Sequence, residues 1–473
     1  MKQSRRDFIK LTGLAGIASG TGFISACSKD DQTPKTGGYS QTFNMYGYAA
    51  PKLETVRVGI IGLGNRGSGT VVRLASIEGV EIKAICDLEP DRVDASKDAL
   101  RELGQTADGY SGGPNEWKKM CERGDIDLVA IATPWHLHTI QSVFAMEHNK
   151  HVYVELPAAN TIEECWQLVE TSERTRKHCM QISSSCHYRE AAYVLNMVRN
   201  GVLGEIVHGE GAYIHDLMNS HKFTKDVYHD LWRLKENATR DGSLYPQHGM
   251  VPVFQIMDIN CGDKLDYLVS MSSNDFQMGR RAKELAEEDD FWKPFVGKNY
   301  RGNINSTTIR TSMGRTMVIQ HDVTTPRPAV RFNMISGTKG TYQARPNRIG
   351  FGYREGWIPD EELNALMEEF KPEITKRFEE LTQQAREAGM RRRSYARVNA
   401  MDWRLIDCLR NGLPLEMNVY DAAASCAITP LSEWSVANRS SSVDVPDFTN
   451  GAWKTNKPGM DVSITNGGTT KLI

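Results

Sequence analysis

Residues 56–67 of this chain read Val-Arg-Val-Gly-Ile-Ile-Gly-Leu-Gly-Asn-Arg-Gly. The first six residues form an apolar run typical of a buried strand, and the glycines at positions 62, 64 and 67 follow it. We expect Gly62 to allow a tight turn and Gly64 to let a pyrophosphate approach the backbone, while Gly67 lets the next helix pack closely on the sheet. The stretch therefore predicts a strand, a phosphate-binding loop and a helix.

A second strand, at residues 80–85, leads directly to Asp87. This carboxylate lies twenty residues after Gly67, where it can bind the two hydroxyls of a ribose. Its negative charge disfavours a 2′-phosphate, so the predicted cofactor is NAD(H) and not NADP(H). Further apolar runs at 126–132 and 151–154 are typical of buried parallel strands.

The composition is that of an ordinary globular protein with two or three domains. The 473 residues are 40% hydrophobic and 25% charged, with 57 basic and 59 acidic side chains. A formal net charge of −2 argues against a nucleic-acid partner, because such proteins need a concentrated basic surface. None of the nine cysteines forms a CxxC pair or lies at metal-ligand spacing from a histidine, so no metal is predicted.

The N-terminal sequence indicates export and a lipid anchor. Adjacent arginines, Arg5 and Arg6, precede a short apolar stretch at 11–26, which is typical of a twin-arginine signal. The stretch leads into Ile-Ser-Ala-Cys, so Cys27 is the predicted lipid-bearing residue and the only predicted link to a membrane. We expect the mature protein in the periplasm or on the surface of a Gram-negative bacterium.

Two strand ends carry further motifs. Thr133-Pro-Trp-His-Leu-His138 follows one apolar run, and Glu155-Leu-Pro157 follows the next. With the glycine loop and Asp87, this pattern resembles the Gfo/Idh/MocA oxidoreductase family. The resemblance implies an α/β fold: an N-terminal Rossmann domain with a doubly wound parallel sheet, and a C-terminal α+β domain with an open-faced, largely antiparallel sheet. Most dehydrogenases of this family have lysine where Leu156 stands, so their usual machinery is incomplete here.

One branch of that family matches more closely. Leu244-Tyr-Pro-Gln-His-Gly249, Ile428-Thr-Pro-Leu-Ser-Glu433 and Pro446-Asp-Phe-Thr-Asn-Gly451 resemble glycoside hydrolase family 109, the NAD-dependent α-N-acetylgalactosaminidases. The likeness runs over roughly residues 55–455 and implies NAD as cofactor and a glycan with terminal N-acetylgalactosamine as substrate. Besides the three glycines and Asp87, it implies cofactor contacts from Asn65, Arg66, Trp135, His136, Leu137, His138, Glu155, Leu156 and Ser185.

The resemblance also implies a set of substrate contacts: Tyr213, Arg233, Tyr245, Pro246, Gln247 and His248. The candidate catalytic residues are His248, Tyr188 and Tyr245, because histidine titrates near neutrality and Tyr188 matches a family tyrosine beside the reacting sugar. Two positions depart from the family pattern. Ser185 stands in place of an asparagine, and Ala329 stands in place of a substrate-binding tyrosine, which leaves the sugar specificity open.

The predicted reaction is redox-neutral. The cell surface maintains no pool of free NAD, so an exported protein is expected to keep its cofactor and restore it in each turnover. Glycoside hydrolysis through transient oxidation at C3, deprotonation at C2 and elimination at C1 meets this requirement. Two alternatives remain: a redox-neutral exported sugar oxidoreductase, and a non-catalytic glycan-binding surface lipoprotein. The resemblance leaves the formation of a homo-oligomer open.

The domain boundaries follow from these assignments. We expect an export signal at 1–26, a flexible tether at 27–54, an NAD-binding Rossmann domain at 55–183, a substrate-binding domain at 184–440 and a C-terminal tail at 441–473.

Overall fold

The computed structural model describes residues 40–187, 189–390 and 398–473. The export signal, Cys27 and Tyr188 lie outside the described residues, so what the sequence predicts for them stays a prediction. Within the described ranges, no helix combines the length and the apolar character that crossing a membrane requires.

The first part of the described chain is built on a six-stranded sheet. Its strands are β1 (Val56–Ile61), β2 (Val80–Cys86), β3 (Asp108–Tyr110), β4 (Leu128–Ile131), β5 (His151–Glu155) and β6 (Cys179–Ile182). They lie in the order β3-β2-β1-β4-β5-β6, and every neighbouring pair is parallel. The helices between them are Gly67–Ala75, Pro90–Glu102, Glu116–Cys121, Trp135–Glu147 and Ile162–Thr175. The predicted doubly wound Rossmann sheet is therefore confirmed.

The order of the strands reverses between β1 and β4. Ile61 and Ile131 are the last residues of these two strands and lie opposite each other. Since the chain leaves the two strands in opposite directions, a crevice opens beyond their carboxyl ends. Gly62 and Ala132, the residues that follow, therefore lie at its floor.

The second part of the chain forms an eight-stranded sheet. Its strands are β7 (Ile206–Ile214), β8 (Leu265–Ser272), β9 (Ile304–Thr311), β10 (Thr316–Asp322), β11 (Val330–Gly337), β12 (Gly340–Gln343), β13 (Arg348–Phe351) and β14 (Val443–Asp444). Their order is β13-β12-β11-β7-β10-β9-β8-β14. Only the central pair β7 and β10 is parallel among the described neighbours, which confirms a largely antiparallel sheet.

Helices cover one face of this sheet. Gln247–Ile256 packs on β7 and β11, and Val419–Ala437 packs on β8. The other described helices of this half are Arg189–Arg199, Trp232–Asn237, Met278–Glu288, Asp360–Glu369, Glu373–Glu387 and Ala400–Asn411. Val207 and Met271 remain exposed on the opposite side of their strands. The sheet is thus open-faced, as the sequence predicts.

A buried carboxylate joins the two halves. Helix Ala400–Asn411 begins at Asn399, whose side chain accepts a hydrogen bond from the amide of Asp402. The Asp402 carboxylate is fully buried and accepts hydrogen bonds from Arg73 Nε and Tyr153 Oη, both at 2.8 Å. Because a buried charge needs such partners, this joint holds the Rossmann sheet in one position against the second half.

Residues 40–54 pack against the folded chain, although their composition predicts a flexible tether. Met45 and Tyr46 are buried. The Met45 amide donates a hydrogen bond to Tyr420 Oη over 3.0 Å, and that hydroxyl in turn donates to the Glu173 carboxylate over 2.7 Å. Phe43, Tyr48 and Leu53 also pack against the core, so the apolar side chains of the segment hold it on the folded chain.

The predicted C-terminal tail also contacts the folded chain. The buried Asp407 carboxylate accepts hydrogen bonds from the amides of Gly468, Thr469 and Thr470, at 2.7, 3.1 and 3.1 Å. Charge-assisted hydrogen bonds of this kind are among the stronger ones in proteins. They fix the end of the chain on helix Ala400–Asn411.

Candidate functional site

A cavity of about 430 Å³ lies in the crevice between β1 and β4. Most of the predicted cofactor residues line it: Gly62, Gly64, Asn65, Arg66, Asp87, Trp135, His136, Leu137, His138, Glu155 and Leu156. Gly67 and Ser185 do not belong to the lining. Ser185 is buried, with its Oγ 3.0 Å from Ser183 Oγ, so the structure does not bring it to the cavity.

The three glycines of the loop have different roles. Gly62 has a φ of +85°, and a Cβ there would come within 2.7 Å of the Ala132 carbonyl oxygen. A Cβ on Gly67 would collide with the carbonyl oxygen of Gly62. A Cβ on Gly64, by contrast, would meet only Arg92 Nη1, at 3.5 Å. Gly62 and Gly67 are therefore required by the fold, whereas Gly64 leaves open space that a phosphate can approach.

Asp87 forms the wall of the cavity at the end of β2. One carboxylate oxygen accepts a hydrogen bond from the Leu63 amide over 2.6 Å, and the other accepts one from the Glu89 amide over 3.0 Å. Arg92 Nη1 lies 3.6 Å from the second oxygen. The carboxylate is thus held in place by the backbone and paired with a cation that also lines the cavity, an arrangement that suits a ribose diol.

Asp87→Asn is expected to weaken the preference for NAD over NADP by at least about tenfold, because it removes the charge that repels a 2′-phosphate and leaves Arg92 to attract one. Dissociation constants for NADH and NADPH, from the fluorescence of the reduced cofactors, measure the preference. The double variant Asp87→Asn/Arg92→Gln is the control and should lose the gain in NADPH affinity. Equal NADPH affinity in the single and double variants would contradict this role for Arg92.

The second half of the chain covers part of the same cavity. Residues 227–230 line it, and His229 Nδ1 lies 3.7 Å from Glu89 Oε1. The sequence does not predict these residues, because nothing local marks a contact between such distant positions. Glu89 and Arg92 were not predicted either. The helix Pro90–Glu102 begins three residues after Asp87, and this proximity could have indicated that both side chains lie near the cavity.

His138 has a different surrounding from that expected of a cofactor ligand. Its Nδ1 lies 2.7 Å from the Pro157 carbonyl oxygen, and its Nε2 lies 2.7 Å from the Thr133 carbonyl oxygen. Burial lowers the pKa of this histidine. Both ring nitrogens therefore face backbone carbonyls, and the side chain ties the loops that follow β4 and β5 together along the cavity.

Five side chains from both halves meet beside the cavity, and we call them the ring cluster: Trp135, Tyr213, Arg233, Tyr245 and His248. Tyr245 stacks on Trp135 with ring centroids 5.3 Å apart, and Tyr213 packs edge-on against Tyr245 at 4.7 Å. Arg233 lies 4.9 Å from the Tyr245 centroid and 5.2 Å from that of Trp135. The structure thus brings together Tyr213, Arg233, Tyr245 and His248, four of the six residues predicted to contact the substrate.

A pair of glycines makes this meeting possible. A Cβ on Gly211, in β7, would collide with the backbone of Gly249, and a Cβ on Gly249 would collide with the backbone of Ala212. Only glycine at both positions lets helix Gln247–Ile256 lie directly on β7. This contact places the start of the helix beside Tyr213, and it could not be predicted from the sequence.

His248 is the one histidine of the ring cluster. Its ring stacks on that of Tyr213 with centroids 5.4 Å apart. Its Nδ1 is buried and has no hydrogen-bond partner among the described residues. Burial, together with the charges of Arg331, Arg66 and Arg233, lowers its pKa well below the usual value. The imidazole is therefore neutral and able to accept a proton.

Leu156 replaces the lysine of the dehydrogenases with an apolar side chain. It is 1% exposed and packs in a small buried cluster with Trp135, Tyr213, Leu244 and Tyr245. No amine stands at this position to work with His248. The aliphatic side chain instead belongs to the same buried cluster as the rings of Trp135, Tyr213 and Tyr245.

The described residues hold no group of three or more His, Cys, Asp and Glu side chains arranged for a metal ion. The seven cysteines whose side chains are described are buried free thiols. Burial raises the pKa of Cys426, for example, to about 11. These thiols therefore act as packing groups.

Family models match both halves of the chain. The model for the C-terminal domain of glycosyl hydrolase 109 matches residues 187–455, and that for the oxidoreductase family with an NAD-binding Rossmann fold matches residues 56–182. Among solved structures, levoglucosan dehydrogenase in complex with NADH and levoglucosan superposes with a TM-score of 0.57 at 18% identity, covering 83% of this chain and 100% of the other. At this identity the likeness shows the fold alone.

Relatives at higher identity cover nearly the whole chain. An α-N-acetylgalactosaminidase from Bacteroides fragilis is 45% identical over 421 residues, 88% of this chain and 96% of the relative. A glycosyl hydrolase family 109 protein from Shewanella pealeana is 41% identical over 97% of this chain and 99% of its own length. The chain therefore belongs to glycosyl hydrolase family 109, with an NAD-binding Rossmann domain of the Gfo/Idh/MocA type followed by the C-terminal domain of the family.

Proposed function

We propose that this protein is an NAD-dependent glycosidase that releases terminal α-linked N-acetylgalactosamine from glycans. The observation that carries the proposal is that the dinucleotide cavity and the ring cluster share Trp135, Arg233 and Tyr245. A sugar bound by the ring cluster therefore contacts the cavity directly. The name of the B. fragilis relative, an α-N-acetylgalactosaminidase, supports this choice of sugar.

The residues of the ring cluster suit a redox-neutral elimination. Bound NAD supplies reversible oxidation at C3 of the sugar, which makes the proton on C2 acidic. The neutral imidazole of His248 accepts that proton and returns it after the C1 substituent has left. Tyr245 stays protonated, because burial raises its pKa, and so can donate a hydrogen bond to a sugar oxygen. Water adds at C1: its hydroxyl replaces the C1 substituent and its remaining proton goes to the departing oxygen, so the sugar leaves with no net change in oxidation state.

The same proposal includes export by the twin-arginine route and a lipid on Cys27. A redox-neutral cycle needs no supply of free cofactor, so the enzyme can work in the periplasm or at the cell surface with the NAD that it carried out. A location in the periplasm or at the cell surface also suits a substrate at the ends of extracellular glycans.

Activity without added cofactor tests the proposal. Purified protein, given no NAD, is expected to release p-nitrophenol from p-nitrophenyl α-N-acetylgalactosaminide. In D2O the released sugar should carry deuterium at C2, measured by mass spectrometry. The proton that His248 takes from C2 exchanges with the solvent before C2 is protonated again. Hydrolysis without deuterium at C2 would contradict the elimination. Formation of a lactone from the free sugar, without release of p-nitrophenol from the glycoside, would replace the proposal with a sugar oxidoreductase. Binding without turnover would favour a glycan-binding lipoprotein.

A further inference from the structure

We infer that Arg331 is a positioning residue for the proposed hydrolysis: its guanidinium holds the rings of Tyr213 and His215 and keeps His248 ready to accept a proton. The inference rests on the proposed function. Arg331 lies in β11, outside every motif that the sequence analysis used, and neither the glycine loop nor the ring cluster includes it.

The position of Arg331 comes from an irregularity in the sheet. On β11, Val330 lies opposite Ile214 and Phe332 lies opposite Gly211. Two steps along β11 therefore match three steps along β7, so β7 carries an extra residue opposite Arg331. Bulges of this kind change the direction in which side chains point.

One guanidinium makes several contacts at this bulge. Its Nη1 donates to the Ile214 carbonyl oxygen over 2.9 Å, and its Nη2 lies 3.1 Å from His215 Nδ1. Its central carbon lies 4.1 Å from the centroid of the Tyr213 ring, within the range of a strong cation–π contact. Arg331 thus contacts Tyr213, a member of the ring cluster, and His215, which follows β7, at the same time.

The contact with Arg331 sets the tautomer of His215. A guanidinium is always protonated and can only donate, so His215 Nδ1 must carry its lone pair toward Arg331. The proton of the neutral imidazole then lies on Nε2. Burial and the charge of Arg331 both lower the pKa of His215, which keeps the ring neutral with a single donor on Nε2. His215 is half-buried and can offer this N–H to a sugar oxygen.

Arg331 also acts on His248 through its charge, because the Tyr213 ring that lies 4.1 Å from the guanidinium stacks directly on the imidazole of His248, with centroids 5.4 Å apart. Burial lowers the pKa of His248 most, and four nearby groups lower it further: Arg331 from β11, Arg66 from the glycine loop, Arg233 from the ring cluster and His215 after β7. Among the three arginines, Arg331 has the largest effect. Removing it raises the pKa of His248, so protonation switches the base off at a higher pH.

Two substitutions separate the charge of Arg331 from its hydrogen bonds. For Arg331→Gln, the acid limb of the kcat/KM profile is expected to move upward by about 0.5 pH unit or more, and KM to rise about tenfold. Arg331→Lys keeps the charge but cannot hold the carbonyl and the imidazole together, so its acid limb should stay at the wild-type pH while KM rises. Arg310→Gln is the control, because it removes one exposed positive charge from β9 of the same sheet.

Nuclear magnetic resonance of protein labelled with 15N in histidine gives a readout that needs no turnover. We expect wild-type His215 to be protonated on Nε2 alone, and the titration of His248 to move upward in Arg331→Gln only. A wild-type kcat/KM profile in Arg331→Gln, or a proton on His215 Nδ1 in the neutral ring, would overturn the inference. If both histidine signals behave as expected but the wild-type protein does not hydrolyse the substrate, the proposed function is wrong. The contacts of Arg331 with Tyr213 and His215 are then still supported.

Discussion

Replacing Gly64 by valine is expected to give a folded protein that carries no dinucleotide and hydrolyses its substrate at least about a thousandfold more slowly. A Cβ at position 64 meets nothing closer than Arg92 Nη1, at 3.5 Å, so the chain itself has room for the larger side chain. That room is the space through which a pyrophosphate reaches the backbone of the loop. Valine therefore blocks the cofactor and spares the fold.

Three measurements check this prediction: the melting temperature, the NAD released on denaturation and the rate on p-nitrophenyl α-N-acetylgalactosaminide. Gly124→Val is the matched control, because a Cβ there meets no atom within 4 Å and Gly124 does not line the cavity. It should keep the NAD content and rate of the wild type. A Gly64→Val protein that retains one NAD per chain would show that the loop does not bind the pyrophosphate.

His248→Asn is expected to lower kcat by about 10²–10⁴-fold while the NAD content and the melting temperature stay close to those of the wild type. Asparagine keeps a polar side chain of similar reach beside Tyr213 but has no basic nitrogen. Without a base, the proton on C2 of the oxidised sugar is removed slowly. The incorporation of deuterium at C2 should therefore fall in parallel with hydrolysis.

A histidine elsewhere in the same sheet provides the control for this substitution. His208 lies in β7, with its Nδ1 2.7 Å from Thr316 Oγ1, and lines no part of the cavity. His208→Asn should leave both the rate and the exchange at C2 unchanged. If His248→Asn exchanged the C2 proton at the wild-type rate, another group would be the base, and Tyr188 would be the next candidate.

The glycine loop and the acidic residue of the cofactor site could be predicted from the sequence. The apolar run ending at Ile61, the glycines after it and Asp87 after β2 occupy the places that their spacing indicates. These features depend on local sterics: which residues tolerate a positive φ, and which side chains suit a strand buried on both faces. Ser185, which a family pattern assigned to the cofactor, does not line the cavity and lies beside Ser183.

The substrate half could be predicted residue by residue but not as an arrangement. Motifs indicated Tyr213, Arg233, Tyr245 and His248, yet nothing in them states how the four side chains meet. Their meeting depends on the contact between Gly211 and Gly249, whose backbones approach only because neither has a side chain. Positions this far apart in the chain leave no periodic signal.

Motifs and spacing were therefore enough to predict the Rossmann domain, NAD as its cofactor, the family of the chain and four side chains of the ring cluster. Three features are visible only in the folded chain. Residues 227–230 line the cofactor cavity, residues 40–54 pack against the core, and Arg331 contacts Tyr213 and His215. The physical reason is the range of the interactions. Turns and strands follow from neighbours in the chain, whereas burial and charge act between any groups that folding brings together.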